Sequence, residues 1–296
     1  MAVLTINENS MPRLLTLLLG FVSLACAIAR GADANAVRVV SQAVGTDELL
    51  LALAEPSQIA ALSPIARDRN FSAVWKEATP YPQLAVNGDA ENALKFSPTL
   101  VLVADYSRAE FVAQLRRTGV RVFVLENYAT LDDAYANLRA LARELGPHAE
   151  KKAEAIIADC QQRVAVLAEK LKNARPVRVI SPSTYGVIGG AGTTFQDLCD
   201  HARAENLAVT LGHLVGHQPP PSEQMLTWPI ERLVIAGTDR DSAIAPFLKI
   251  PPYQFMPAVR ERRVALLEPW HLSAVSHHRV TAYERLAREL HPELFE

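Results

Sequence analysis

Val37-Arg-Val-Val-Ser41 returns later in the chain as Val177-Arg-Val-Ile-Ser181. The succession continues from there. Leu100-Val-Leu-Val-Ala104 is echoed by Leu233-Val-Ile-Ala-Gly237, and Arg121-Val-Phe-Val-Leu-Glu126 by Arg263-Val-Ala-Leu-Leu-Glu268. A looser echo links Ser57-Gln-Ile-Ala-Ala-Leu62 to Glu205-Asn-Leu-Ala-Val-Thr210. Each run alone is an ordinary β-strand, but four in the same order at nearly one spacing describe an internal duplication. The runs are short, apolar on both faces and bounded by turn or helix signals, as parallel strands covered by helices must be. Amphipathic segments lie between them: Asp47 to Ala54, Ala90 to Phe96 and Arg108 to Thr118 in the first copy, then Thr194 to Ala204, Ser222 to Trp228 and Val280 to Leu290 in the second. Strands alternating with helices predict an α/β fold with two doubly wound lobes.

The segment joining the copies is helical in character. From Leu131 to Asn173 the only break is Gly146-Pro147, and proline is well suited to the first turn of a new helix. Ala153, Ile156, Ile157, Val164, Leu167 and Leu171 recur at helical spacing, with Lys151, Lys152, Glu169 and Lys170 covering other faces. At 1.5 Å per residue such a helix is about 40 Å long, enough to cross from one small lobe to another. The expected organisation is a leader over residues 1–34, an N-terminal lobe over 35–146, a spanning helix over 147–173 and a C-terminal lobe over 174–296.

Composition narrows the functional classes. The 296 residues are 49% apolar, with 30 Lys+Arg against 32 Asp+Glu, so no basic excess exists for binding nucleic acid. Three cysteines occur, too few for a disulfide scaffold and without zinc-site spacing. Cys160 and Cys199 sit in helical patterns and are expected as buried thiols, with pairing the alternative. Met11-Pro-Arg13, the apolar run Leu14 to Ile28 and the small-residue exit Arg30-Gly-Ala32-Asp-Ala34 read as a secretory signal, too short for a comfortable membrane span. Export to the periplasm follows. Met11 is a second candidate start, and Cys26 raises a lipoprotein anchor, although Ser23-Leu-Ala25 places the leucine one position off.

With these residues in place, the chain resembles the helical-backbone class III periplasmic substrate-binding proteins, which deliver iron-siderophores, haem or cobalamin to ABC importers. Glu91-Asn-Ala-Leu-Lys-Phe-Ser-Pro98-Thr99 is similar to the family's pattern of a glutamate, seven residues and Pro-Asp, with Thr99 in place of the aspartate. Ser222-Glu223 through Ile230-Glu231 is its second-lobe counterpart. Tyr185-Gly-Val-Ile-Gly-Gly190-Ala-Gly192 and Phe255 to Arg260 look like the family's second-lobe entry and closing segments. The resemblance implies that Glu91 and Glu223 dock onto the permease, each lobe contributing one carboxylate to orientation and encounter. It also implies a monomer that carries no permanent cofactor and transports an iron or cobalt chelate as a small-molecule ligand. Cobalamin binders place an aromatic residue six positions before each glutamate, where this chain has Ala85 and His217. The haem branch's Gly-Tyr-x-Arg is replaced by Tyr81-Pro-Gln.

Ligands of open α/β sheets bind beyond the carboxyl ends of the strands. The expected contacts are Arg67, Trp75 and Tyr106 in the first lobe and Tyr185, Thr193, Thr194, His217, Trp270 and His271 in the second, with aromatic walls suiting a large planar ligand. Tyr185 is expected on the cleft floor. Thr193 and Thr194 can equally cap a helix. His217 is the candidate metal ligand, because imidazole binds iron, cobalt and zinc readily. His277 and His278 are placed either as ligands or as caps of the last helix. Two other readings stay open: a zinc or manganese receptor, although residues 35–146 contain no histidine, and a secreted enzyme, although no Gly-x-Ser-x-Gly elbow occurs.

Overall fold

The computed structural model describes residues 37–296. The expected signal segment and Cys26 lie outside the described residues. The first half contains β1 (Val39–Ser41), α1 (Val44–Leu53), β2 (Ile59–Ala61), α2 (Ala90–Leu94), β3 (Leu100–Ala104), α3 (Ala109–Arg117), β4 (Arg121–Leu125) and α4 (Leu131–Leu145). Next comes α5 (Pro147–Leu171). The second half contains β5 (Val177–Ile180), β6 (Ile188–Gly189), α6 (Thr194–His201), β7 (Ala204–Asn206), α7 (Leu207–Thr210), β8 (His217–Gln218) and α8 (Ser222–Met225). It ends with β9 (Arg232–Ala236), α9 (Arg240–Ile244), α10 (Pro257–Arg260), β10 (Val264–Leu267) and α11 (Arg279–Leu290).

Two four-stranded parallel sheets form, in the orders β2-β1-β3-β4 and β7-β5-β9-β10. Each strand of the first sheet holds the same place in its sheet as its sequence echo holds in the second. The looser echo is included, since β2 and β7 are the corresponding edges. β6 and β8 add a small antiparallel pair in the second half. In both sheets the chain runs to one side of its first strand and then returns to the other. A topological switch point therefore lies between β1 and β3, and another between β5 and β9.

Alternation along the strands builds a core on each face. Val40, Val101 and Val103 pack with Ala93, Phe111 and Leu115 on one side of the first sheet. Val39, Leu100 and Leu102 are equally buried on the other side, which α1 covers, with α4 packed against α1. The second sheet repeats this plan, with Ile180, Leu233, Ile235 and Val264 packed against Leu207, Met225 and Val259.

Thr130 caps α4, accepting the N–H of Asp133 at 3.2 Å, while Asp133 accepts the N–H of Thr130 at 2.8 Å. Gly146, at φ 111, breaks the chain between α4 and α5, and Pro147 occupies the first turn of α5. The apolar stripe of α5, Ala149, Ala153, Ile157, Cys160, Leu167 and Leu171, is buried. It packs against α1 and α4 near one end and α6 and α11 near the other, and so spans the two sheets. Cys160 and Cys199 are buried free thiols, and burial pushes both above the usual thiol range.

The two halves are also joined by side chains. Arg279, 1% exposed, donates to the Asp197 carboxylate at 3.0 Å and the Ala274 carbonyl at 3.0 Å within the second half. Its guanidinium also donates to the carbonyls of Tyr128 at 2.6 Å and Ala129 at 3.1 Å in the first. Tyr283 donates its hydroxyl to the same Asp197 carboxylate oxygen. Nearby, the Ser276 hydroxyl donates to Glu48 at 2.6 Å, and Arg163 on α5 forms a bidentate pair with Glu284 of α11.

Candidate functional site

A cavity of about 460 Å³ opens at the β1/β3 switch point. Its wall is formed by the turn Gln42–Gly45 after β1, the loop carrying Pro64, Ile65 and Phe71 after β2, the stretch Leu84–Asp89, and Tyr106, Ser107 and Arg108 after β3. Ser273 and Val275, from the segment between β10 and α11, complete it from the other half. The volume falls in the range that encloses most of a drug-sized organic ligand. Large apolar side chains that are otherwise exposed converge there: Ile65, Phe71, Val86 and Tyr106.

Local structure places the polar groups. Asp89 caps α2 by accepting the N–H of Asn92 at 3.0 Å, and Asn92 accepts the N–H of Ala85 at 2.9 Å, holding the loop against the wall. Ser107 donates to Gln42 at 2.7 Å, joining the two strand ends that flank the switch point. Tyr106 is 65% exposed and stands edge-on to Tyr128, their centroids 6.2 Å apart. Desolvation, followed by Tyr128 and the acidic groups Asp105, Asp47 and Glu48, raises its phenol above the ordinary range, so it offers the site a hydroxyl.

Behind this wall lie two buried carboxyl groups on α1. Asp47 accepts the backbone N–H of Ser63 at 3.0 Å and also its hydroxyl. Glu48 accepts the N–H of Ala73 at 3.1 Å as well as the hydroxyl of Ser276. Burial raises both to about 7, against the hydrogen bonds that lower them. Glycine at position 45 is required by the neighbouring half: a Cβ there would meet Val275 Cγ2 at 2.4 Å.

Of the nine expected contact residues, the structure places Tyr106 in this wall. The guanidinium of Arg67 donates to the carbonyls of Ala78 and Tyr81, bracing the loop whose Ile65 and Phe71 face the cavity. Trp75 lies outside the lining, with the Lys76 ammonium 5.1 Å from its ring. Tyr185 is 89% exposed and forms no cleft floor, because the turn it shares with Gly186, at φ 77, carries it outward. Thr193 is buried as the cap of α6, accepting the N–H of Gln196 at 3.3 Å and donating to Gly190 at 2.7 Å. Thr194 donates to the carbonyl of Leu272 at 3.3 Å.

His217 is exposed on β8 and outside the lining. Trp270 and His271 are buried against one another, their rings 4.1 Å apart. His271 Nδ1 accepts the N–H of Glu268 at 3.2 Å, and burial lowers this imidazole to about 4. The rings of His277 and His278 lie 4.2 Å apart at the start of α11, where His278 makes no side-chain cap. Among the described residues, no group of three His, Cys, Asp or Glu side chains is arranged to hold a metal ion. Glu91 on α2 and Glu223 on α8 are both exposed and form no ion pair among the described residues. They occupy corresponding turns, each ahead of a central strand of its sheet.

Residues 39–269 match the family model of periplasmic binding proteins. The chain belongs to that family. It is accordingly a substrate-binding transport protein rather than an enzyme, and the family's place of action is the periplasm. No helix among the described residues is long and apolar enough to cross a membrane. A search of curated proteins found no match.

Among solved structures, the chain is similar to the periplasmic heme-binding protein RhuT of Roseiflexus sp. RS-1 in apo form, with a TM-score of 0.74 at 21% identity, covering 88% of this chain and 100% of that one. It is also similar to a periplasmic heme-binding protein of Pseudomonas aeruginosa, with a TM-score of 0.72 at 24% identity, covering 86% and 92%. A third likeness is to CeuE of Helicobacter pylori in a nickel-histidine complex, with a TM-score of 0.67 at 15% identity, covering 87% and 84%. At these identities the likeness is one of fold.

Sequence reasoning reached the segments after β2 and β3 but missed the stretch Leu84–Asp89, the closing residues Ser273 and Val275, and the buried acids of α1. One signal for the acids was available. Asp47-Glu48 follows the first strand directly, in the turn-to-helix position where open α/β sheets bind ligands.

Proposed function

We propose that this periplasmic binding protein captures an iron- or cobalt-centred chelate, of porphyrin, siderophore or corrin type, and delivers it to the permease of an ABC importer. The observation that carries this reading is the cavity of about 460 Å³ at the β1/β3 switch point, walled largely by apolar and aromatic side chains and closed by residues of the other half. Such a wall suits an organic chelate that brings its own metal coordination. A bare zinc or manganese ion would instead need several protein ligands converging on one point. The Roseiflexus and Pseudomonas proteins, both periplasmic heme-binding proteins, support the same ligand class.

In this reading Tyr106, Ile65 and Phe71 contact the chelate, while Ser273 and Val275 close over it. Capture is population shift: the ligand favours the arrangement in which both halves touch it. Glu91 and Glu223, one on each half, then present paired carboxylates to the permease. Of the remaining contacts expected from sequence, Arg67 braces the loop that carries Ile65 and Phe71, and Thr194 holds Leu272 beside Ser273. The test is native mass spectrometry with absorbance spectroscopy on protein purified from its own source. A bound mass and visible spectrum of a porphyrin, corrin or ferric chelate is the expected result. Saturable binding of a metal-free metabolite, with no affinity for any metal chelate, would overturn the proposal.

A further inference from the structure

The cavity wall has an uneven charge. Glu48 is 2% exposed, yet it reaches the lining, and Asp47 lies directly behind it. Asp89 is a second carboxylate in the wall, fixed as the cap of α2. Among the described lining residues the cation is Arg108, whose Nη2 donates to the carbonyl of Gly88 at 2.6 Å and, more weakly, to that of Asn87 at 3.4 Å. Its guanidinium is thus anchored to the loop rather than to either acid. The start of α1 also borders the cavity, but Asp47 in its first turn already answers the positive end of that helix.

This arrangement discriminates by charge. A polyanionic chelate entering an apolar-walled cavity leaves its hydration behind, and here it would meet the Asp89 carboxylate, the Glu48 carboxyl, which ionises as pH rises through about 7, and a single guanidinium already bound to carbonyls. An uncharged chelate sacrifices little hydration, and a cationic one is attracted by Glu48. We infer that the cavity selects metal chelates whose enclosed part carries no negative charge, with Glu48 the discriminating residue. Carboxylates at the periphery of a ligand, projecting from the mouth into water, are compatible with this selection. Negative charge concentrated around the metal is not. The inference rests on the chelate-receptor reading above.

The test uses two ferric probes of similar size, an uncharged tris-hydroxamate chelate and a trianionic tris-catecholate chelate. Each is titrated calorimetrically into the purified protein at pH 8, above the value of about 7 to which burial raises Glu48. The expected preference for the hydroxamate is about 100-fold, about 10-fold from each of Glu48 and Asp89, the factor that like unit charges about 12 Å apart produce at an effective dielectric of about 20. In Glu48→Gln the preference should fall to about 10-fold, through a gain in catecholate affinity. Asp89→Asn, which keeps the helix cap, should move the ratio in the same direction and serves if Glu48→Gln fails to fold. Equal binding of the two probes, or tighter binding of the catecholate, would overturn charge selection while leaving the chelate receptor standing. Binding of neither these probes nor haem would overturn the chelate reading, and charge selection with it.

Discussion

Replacing Arg279 by methionine removes the side chain that ties both halves of the molecule together. The guanidinium is buried and makes four hydrogen bonds: to Asp197 and Ala274 on its own side and to the carbonyls of Tyr128 and Ala129 on the other. Methionine fills similar volume but donates nothing. It leaves the Asp197 carboxylate buried with the Tyr283 hydroxyl as its main remaining partner. Breaking one side of a buried ion pair costs about 3–5 kcal/mol, because the remaining charge is uncompensated. Each orphaned carbonyl adds about 1–3 kcal/mol where water cannot reach it. We expect Arg279→Met to lose at least about 4 kcal/mol in urea-induced unfolding followed by tryptophan fluorescence, a large part of a domain's total stability.

Adding Asp197→Asn should recover about 2 kcal/mol, since asparagine removes the stranded charge and still accepts from Tyr283. A loss below about 1 kcal/mol in the single variant, or no recovery in the double, would refute the description of Arg279 as a charge-paired pin.

Three further outcomes follow from the same structure. Burial holds Asp47 and Glu48 at about 7, above their ordinary values of 3.8 and 4.5, so their contribution to stability is complete below about pH 4 and is lost as pH rises through 7. The stability of wild type relative to Glu48→Gln should therefore fall by about 2.5 kcal/mol between pH 5 and pH 8, and a pH-independent difference in urea titrations would contradict it. Gly45→Ala should cost about 1–3 kcal/mol of stability and weaken ligand binding, because its Cβ would drive Val275 away from the cavity wall. Unchanged melting and affinity would show that the two halves meet more loosely there. Charge reversal of Glu91 and Glu223 together should abolish uptake by cells while leaving affinity in solution unchanged; a large loss of affinity would place these residues in ligand binding rather than docking.

Much of the fold was legible because it depends on short-range patterns. The β-branched runs Val37 to Ser41 and Val177 to Ser181 specify buried parallel strands wherever they are placed, and their ordered echoes specify two sheets of equal topology. Gly146-Pro147 marks a helix boundary for local reasons, one residue tolerating positive φ and the other lacking a backbone donor. Thr193 could be read as a cap for the same reason. The site was far less legible. Its wall draws on residues near 42, 65, 86, 106 and 275, whose proximity comes from sheet order and loop course rather than from any local spacing. Of the expected contacts, Tyr106 alone lines it, since an exposed tyrosine after a strand looks the same in sequence whether it faces a cavity or, like Tyr185, bulk water.

The sequence by itself determined the α/β class, the duplication, the long helix between the copies and the family, because hydrophobic periodicity, β-branching and turn chemistry act over a few residues and survive in any context. Only the tertiary structure decided that Glu48 and Arg279 are buried. A charged residue on an amphipathic helix is read as solvent-facing unless something else covers it, and what covers these two comes from the opposite half of the molecule, more than one hundred residues away. Which of the two switch points opens into a ligand-sized cavity was settled in the same way, by how the halves meet.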